Sequence, residues 1–551
     1  MKKKINKYTY LSAILLLTLV VASCNNGSEG SENDDNSFFG NLFGNGAGED
    51  IEISSEEISG NLKNIGNQLL NQKELENFYN SRSNLAVWGD AEIRRDFYRE
   101  LKKSNEEGLQ FLDYHGSELE DLMDDPGDLS AKEKARMELL LTDAFFEYAS
   151  HLYYGKLDPK SMYEIWGVKR KQKDLQKLLQ DVAENGNIED AITDLKPKHQ
   201  VYSDLKKALG EYEKLKEEDI SIQKIPEGEL IKPGDEDERI AAITERLKTL
   251  NFLDKDYTSE GNLYDERLQD AVNNFQHRKG LQTDAILGNS TIRELNMSPE
   301  DRYFQILANL ERWRWYPRDL GEHYILINIP AYELTVVKGG ETVREHKVIA
   351  GTKERPTPIF SDSLQYIVLN PEWNIPSTIK NEDVIPAASK NPDYLSSRNM
   401  SVLSAEGEAI NPSSINWSGD EVQSYRFVQE SGPANPLGKV KIIYPNDYAI
   451  YLHDTPSKDL FEQNERAASS GCVRVQDVLD LANYLLDGQE DWNMEKINET
   501  VASGETIQVP IKSPIRVHHF YWTAWRDNGN TVFTEDVYEL DKEIYTALQR
   551  N

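Results

Sequence analysis

The sequence predicts a multidomain α+β protein: a helical scaffold, a small three-helix domain, and a mainly β C-terminal domain carrying an inserted lid subdomain. Three observations lead there. The 551 residues exceed what one hydrophobic core organises, so the chain divides. Apolar residues recur at three- and four-residue spacing to about residue 315 and alternate with polar ones afterwards. A stretch rich in proline, glycine and acid, IPEGELIKPGDEDE (225–238), interrupts the helical half.

Composition narrows the function classes. Charged residues make up 28% of the chain and hydrophobic ones 38%, a balance typical of proteins folded in water. A net charge of −33 leaves no surplus of Lys and Arg to neutralise phosphates, which excludes nucleic acid as a partner. Two distant cysteines make no zinc site, and neither a P-loop nor a dinucleotide-binding glycine pattern occurs. No metal or cofactor is expected.

Residues 1–24 read as a processing segment. MKKKINKY is basic, LSAILLLTLVVA is apolar but falls short of the about 20 residues that span a bilayer, and VASC closes it. The small residues before Cys24 resemble a bacterial lipobox. That resemblance implies that Cys24 becomes the lipid-bearing first residue of the mature chain, anchored to a membrane of the cell envelope and facing the periplasm. Removing Lys2, Lys3, Lys4 and Lys7 would leave the mature chain four charges more negative. Residues 25–51, rich in Gly, Asn, Ser and acid, read as a flexible tether.

From 52 to 225 the pattern is helical, as in AEIRRDFYRELKKSNEEGLQFL and KEKARMELLLTDAFFEYASHLYYG. No polar cluster here has catalytic spacing, and His115, His151 and His199 are expected at helix edges or caps. Next, 239–297 marks three short amphipathic helices around Ile240–Leu250, Asp265–His277 and Asn289–Leu295. Leu247, Leu250, Tyr264-Asp265, Leu268, Ala271-Val272, Phe275-Gln276, Gly280-Leu281, Asp284, Thr291 and Leu295-Asn296 resemble the hallmarks of the peptidoglycan-binding domain type 1. Ala285 stands where that family usually has glycine, which puts the local turn in question.

Beyond Trp315, the runs HYILINI, YELTVV, REHKVI, LQYIVL, KVKIIY, YAIYL, TIQVPI and IRVHHFY alternate and are bounded by Pro, Gly and Asn. They predict a sandwich or barrel-like β domain over 320–540. The irregular stretch 371–425 is too long for a loop and reads as an inserted lid.

The chemistry centres on RAASSGCVRV (466–475). Once the processing segment is gone, Cys472 is an unpaired thiol in an exported protein, where structural cysteines are usually paired. A free thiol, with a pKa of about 8.5, is only a few per cent ionised at neutral pH and needs a base. His453, in YLHDTP, ends the alternating run YAIYL and so projects from a strand end. Ser469, Ser470 and Gly471 allow a tight turn whose backbone N–H groups are candidates to hold an oxyanion. Cys472 is expected to lie just before an amphipathic helix, VRVQDVLDLANYLLDG.

His453 followed by Ser469-Ser470-Gly471-Cys472-Val473-Arg474 resembles the L,D-transpeptidase (YkuD) catalytic domain. Ser470 replaces that family's usual histidine, as in its long YcbB-like subgroup. NPEWNIPSTI, GPANPLGKVK, IYLHDTP, YWTAW, LERWRW, LTDAFFEYASHLYYGKLDP and LKPKHQVYSDL extend the similarity over about 500 residues, in the subgroup's domain order.

The resemblance implies that Cys472 takes the acyl group of the third residue of a peptidoglycan tetrapeptide stem, with His453 as base. A second stem's amine then resolves the thioester into a 3→3 cross-link, and carbapenems acylate the same thiol. The second ring nitrogen of His453 is expected to donate to a backbone carbonyl near Asp454. Arg474 is a candidate for a substrate carboxylate or for bracing the loop, and Tyr451 for lining the pocket; Trp373 and Arg466 are weaker candidates. Two rivals remain: an L,D-carboxypeptidase using the same Cys/His site, and a non-enzymatic lipid-anchored wall-binding protein.

Overall fold

The computed structural model describes residues 49–551, except 66–67, 218–222, 259–260, 280, 392, 528 and 551. The processing segment, the lipobox at Cys24, nearly all of the tether, and Gly280 lie outside the described residues.

The helical part is built around Ala131–Tyr154, a 24-residue helix opened by a capping box in which Ser130 and Glu133 satisfy each other's backbone N–H groups. It is buried along nearly its whole length because shorter helices surround it, including Ser55–Ile65, Gln72–Ser81 and Leu175–Asn185. Its polar residues are matched. Glu138 is fully buried and accepts from the backbone N–H groups of Val87 and Trp88. His115 precedes the helix Gly116–Leu122 and meets Asp143 at 2.7 Å. His199 precedes Gln200–Glu217 and meets the Pro317 carbonyl at 3.0 Å. His151 lies within the last turn of the long helix rather than at a cap, against the Tyr114 hydroxyl.

The small domain has helices Ile240–Thr249, Glu266–Arg278 and Asn289–Leu295 around a core of Leu247, Leu268, Val272, Phe275 and Ile292. Asp265 caps the second helix through the Leu268 N–H.

The C-terminal part has eleven strands relevant here: β1 His323–Asn328, β2 Glu333–Lys338, β3 Glu341–Gly351, β4 Ile359–Ser363, β5 Tyr366–Leu369, β6 Val440–Ile443, β7 Leu452–His453, β8 Ala467–Ser469, β9 Val473–Val475, β10 Ile507–Pro510 and β11 Arg516–Phe520. They form one mixed sheet in the order β4-β11-β1-β2-β3-β9-β7-β6-β5-β10, with β8 added beside β3. Two pairings inside that path are parallel, β11 with β1 and β7 with β9. Trp166–Gly167, from the helical half, adds a parallel edge strand to β4. Helices Gln200–Glu217 and Pro299–Trp315 share the sheet's hydrophobic core through Tyr202, Leu205, Ile306 and Trp313. The long amphipathic run after Cys472 is not all helix: Val473 and Val475 are buried and alternate with Arg474 as a strand, and the helix begins at Val478. Asp477, at φ 51°, makes the break.

Between β5 and β6 the chain forms a four-stranded sheet, Trp373–Asn374, Arg426–Gln429, Met400–Leu403 and Ala409–Ile410, over a separate core of Val384, Val402, Val422 and Phe427.

Candidate active site

Directly opposed residues in a sheet project from the same face. On β7, His453 opposes Lys441 of β6 on one side and Arg474 of β9 on the other. The three side chains therefore form one row across the sheet. Tyr451 and Cys472 each precede a member of that row by two residues and share its face. They are tied by the Val473 N–H donating to the Tyr451 carbonyl at 3.2 Å. Thus one parallel strand pair, which sets His453 opposite Arg474, brings His453 and Cys472, 19 positions apart in the sequence, to the same face.

A cleft of about 480 Å³ opens over this face and is lined by Trp373, Tyr451, His453, Ser470, Cys472 and Arg474. Trp373 comes from the inserted subdomain. Glu164 and Ile165, from the helical half, close another wall.

The histidine is buried, and its Nδ1–H donates to the Asp454 carbonyl at 2.5 Å. Because a carbonyl only accepts, this bond fixes the tautomer and leaves Nε2 as an acceptor toward the cleft. Burial, and then the Arg474 charge, lower the pKa of His453 to about 3. The Asp454 carboxylate is directed elsewhere, to the Lys439 N–H at 2.9 Å and to Lys458.

Cys472 is half-buried, with Sγ 3.7 Å from the Ala449 carbonyl. Burial raises its pKa, opposed by hydrogen bonds from the Tyr451 backbone and hydroxyl and by the charges of Lys441 and Arg474. Among the described residues no hydrogen bond joins Sγ to His453; the two groups line the same cleft.

The loop holding the thiol is clamped from below. Ser469 Oγ accepts from the Gly471 N–H at 3.1 Å and donates to the Cys472 carbonyl at 2.6 Å. Thr357 Oγ1 accepts from the Gly351 N–H and donates to the Gly471 carbonyl, both at 2.9 Å. Tyr538 anchors Thr357 in turn, accepting from its N–H at 3.1 Å. Gly471 needs its lack of a side chain, since its φ is 106°.

Most residues expected at the site line the cleft, with two adjustments. The Gly471 N–H was expected to serve an oxyanion, yet it is consumed by Ser469 Oγ. Among the described residues no backbone acceptor engages the Cys472 N–H. Arg466 does not line the cleft: it donates to the carbonyls of Val348, Gln463 and Tyr332 and braces the strands before β8. Ser470 Oγ accepts from Arg355 at 3.1 Å, and Arg355 also pairs with Glu382 and Asp383 of the inserted subdomain. Trp373 and Tyr451 line the cleft beside the thiol. Sequence reasoning missed Lys441 and Thr357. Lys441 carried a signal, as a cation inside the β run KVKIIY; Thr357 carried none. Among the described residues no group of three or more His, Cys, Asp or Glu is placed to hold a metal ion, and no helix is long and apolar enough to cross a membrane.

Three family models match. Residues 322–506 match the L,D-transpeptidase catalytic domain, 73–209 a scaffold domain, and 236–295 the family described as "Putative peptidoglycan binding domain". A curated Haemophilus influenzae protein named "Putative L,D-transpeptidase" is 40% identical over 263 residues, covering 47% of this chain. This chain spans about half, 53%, of that relative's length. Solved structures that align include an L,D-transpeptidase fragment from Xylanimonas cellulosilytica, at 16% identity and a TM-score of 0.18, covering 54% of this chain and 99% of that one. Another, from Stackebrandtia nassauensis, gives 12% identity and a TM-score of 0.19, with 54% and 100% covered.

Proposed function

We propose, from a chain whose residues 322–506 belong to the L,D-transpeptidase catalytic-domain family, that this protein forms 3→3 cross-links in peptidoglycan by cysteine acyl transfer. One observation carries the reading: Cys472 and a tautomer-fixed His453 line a single cleft from adjacent parallel strands.

Cys472 Sγ attacks the carbonyl of the third stem residue, a diamino acid, while its proton passes to His453 Nε2. The oxyanion that forms lies within reach of the Cys472 N–H. Collapse breaks the amide bond, the leaving D-Ala amine takes the proton from Nε2, and a thioester remains. The side-chain amine of a second stem displaces the thiol and completes the link. Arg474 is the substrate-carboxylate candidate, while Ser470, Gly471 and Tyr451 shape the pocket. The 236–295 domain holds the enzyme to the wall, and lipidation at Cys24 holds it to an envelope membrane, facing the periplasm.

Purified protein incubated with disaccharide-tetrapeptide should yield dimers. Tripeptide alone would assign an L,D-carboxypeptidase instead. The Cys472→Ala variant should lose both dimer formation and the carbapenem adduct seen by mass spectrometry while its circular dichroism spectrum stays unchanged. A carbapenem adduct on that variant would refute the assignment of the nucleophile.

A further inference from the structure

The row across β6, β7 and β9 places two cations directly beside one imidazole. Lys441 is half-buried with its Nζ 3.9 Å from the centre of the Tyr451 ring, and Tyr451 lines the cleft beside Cys472. Arg474 is half-buried too, and its Nε has no hydrogen-bond partner. Among the described residues neither cation forms an ion pair, although the chain carries 95 acidic residues against 62 Lys and Arg.

We propose that Lys441 and Arg474 are positioning residues that keep His453 uncharged and favour negative charge on the Cys472 sulfur. The inference rests on acyl transfer at Cys472. The charges around the imidazole divide: Arg474 and Lys441 disfavour its protonation, and only the Asp454 charge favours it. Lys441 comes from β6, Arg474 from β9, and Tyr451 and Cys472 lie on the same face. Asp454 offers its carbonyl while its carboxylate meets the Lys439 N–H and Lys458, and Glu164 is a further residue lining the cleft. Like charges directly opposed on a sheet disfavour each other, so a protonated imidazole between two cations is a poor resting state. Burial acts in the same direction.

The resting pair is therefore thiol and neutral imidazole, not thiolate and imidazolium. The S–H bond breaks only as the C–S bond forms, with the proton going to Nε2. At that moment the two cations stabilise the charge on sulfur and then drive the proton off the ring onto the leaving amine, balancing both transfers.

Carbon-13 NMR of histidine-labelled full-length protein tests this. The ring signal lost in His453→Gln identifies His453 among the nine histidines. In the wild type it should stay neutral down to about pH 5, whereas in Lys441→Met its midpoint should rise by roughly one unit and in Lys441→Arg it should return. Alkylation of Cys472 by iodoacetamide at pH 7 should slow about tenfold in Lys441→Met and recover in Lys441→Arg. A wild-type His453 midpoint near its ordinary value would overturn the proposal even if Lys441→Met failed to fold. So would a folded Lys441→Met variant that leaves both readouts unchanged. A wild type that keeps His453 neutral but forms no carbapenem adduct supports this inference and sinks the acyl-transfer reading alone.

Discussion

The helix Pro299–Trp315 and the row around His453 both keep cations away from water, and they do so in opposite ways. In the helix, Arg312 is fully buried against Asp541 at 2.5 Å, with the Tyr163 hydroxyl at 2.6 Å. Arg314, equally buried, meets Glu311 at 2.7 Å and also reaches the Glu107 carbonyl. Every such charge has a carboxylate, because burying it alone is costly. Lys441 and Arg474 have none, and burial lowers the pKa of both. The fold thus contains a paired region whose charges fasten the scaffold to the sheet, and an unpaired region whose charges act on chemistry. Among the described residues Arg94, Arg246 and Arg466 lack a carboxylate as well, but each donates to backbone carbonyls in a bracing role.

The largest expected effect breaks the paired side. Asp541→Ala leaves Arg312 buried without its counter-ion, and urea unfolding should report a loss of about 3–5 kcal/mol. The matching change on the unpaired side has the opposite sign. Below its folded pKa, a lysine with a depressed pKa is protonated at a cost that the unfolded chain does not bear. Lys441→Met should therefore stabilise the fold at pH 7, by about 1 kcal/mol after solvent screening. A large loss of stability in Lys441→Met would erase the contrast between the two regions.

The next effect sharpens it through pH. Burial holds the folded pKa of His453 at about 3 against about 6.5 for an ordinary imidazole, so between these values the unfolded chain binds a proton that the folded chain refuses. Stability from this group is present above pH 6.5 and is lost as pH falls toward 3. His453→Gln removes that linkage. Between pH 6 and pH 4 the stability of the variant relative to the wild type should rise by about 2–3 kcal/mol. A constant difference between the two proteins would mean that the imidazole is not held neutral.

A smaller effect comes from Thr357, a neutral clamp on the nucleophile loop. Thr357→Val strands the Gly351 N–H and the Gly471 carbonyl, at a cost of about 1–3 kcal/mol. Carbapenem acylation should slow while the adduct stays on Cys472. Unchanged acylation would show that Ser469 alone holds the loop.

These regions also differ in how far the sequence disclosed them. The alternation of HYILINI and YELTVV exposes β1 and β2, because each has one face against a core, whereas β11 in IRVHHFY is buried on both faces and reads as a short apolar run. The three helices of the small domain are legible for the same reason at helical period. Cys472 and His453 stand out by chemistry: a lone thiol, and an imidazole at a strand end. Lys441 does not, since its meaning arises only from the register that sets it opposite His453. Strands of two or three residues, such as Trp166–Gly167, β8 and β9, are too short to display a period. The parallel pairing of β7 with β9 is a long-range contact that no local pattern encodes.

The smallest expected effect concerns the backbone, where the two halves again contrast. Gly471, under the thiol, takes φ 106° without a side chain to hinder it. Ala285, in the small domain, takes φ 58° with one. Ala285 is held there by the Gln276 side chain, whose Oε1 accepts its N–H at 2.9 Å, and by the Tyr264 hydroxyl, which donates to its carbonyl at 2.7 Å. Ala285, which stands where the type 1 pattern has glycine, holds this left-handed conformation at a strain of about 1–2 kcal/mol. Ala285→Gly should relieve that strain and give back part of the gain through the greater freedom of glycine in the unfolded chain, for a net stabilisation of about 0.5 kcal/mol. Thermal unfolding of the two proteins should separate by a degree or two at most, in favour of glycine. A lower melting temperature for Ala285→Gly would mean that the Gln276 and Tyr264 bonds, rather than the residue's own conformational preference, set the energy of the turn.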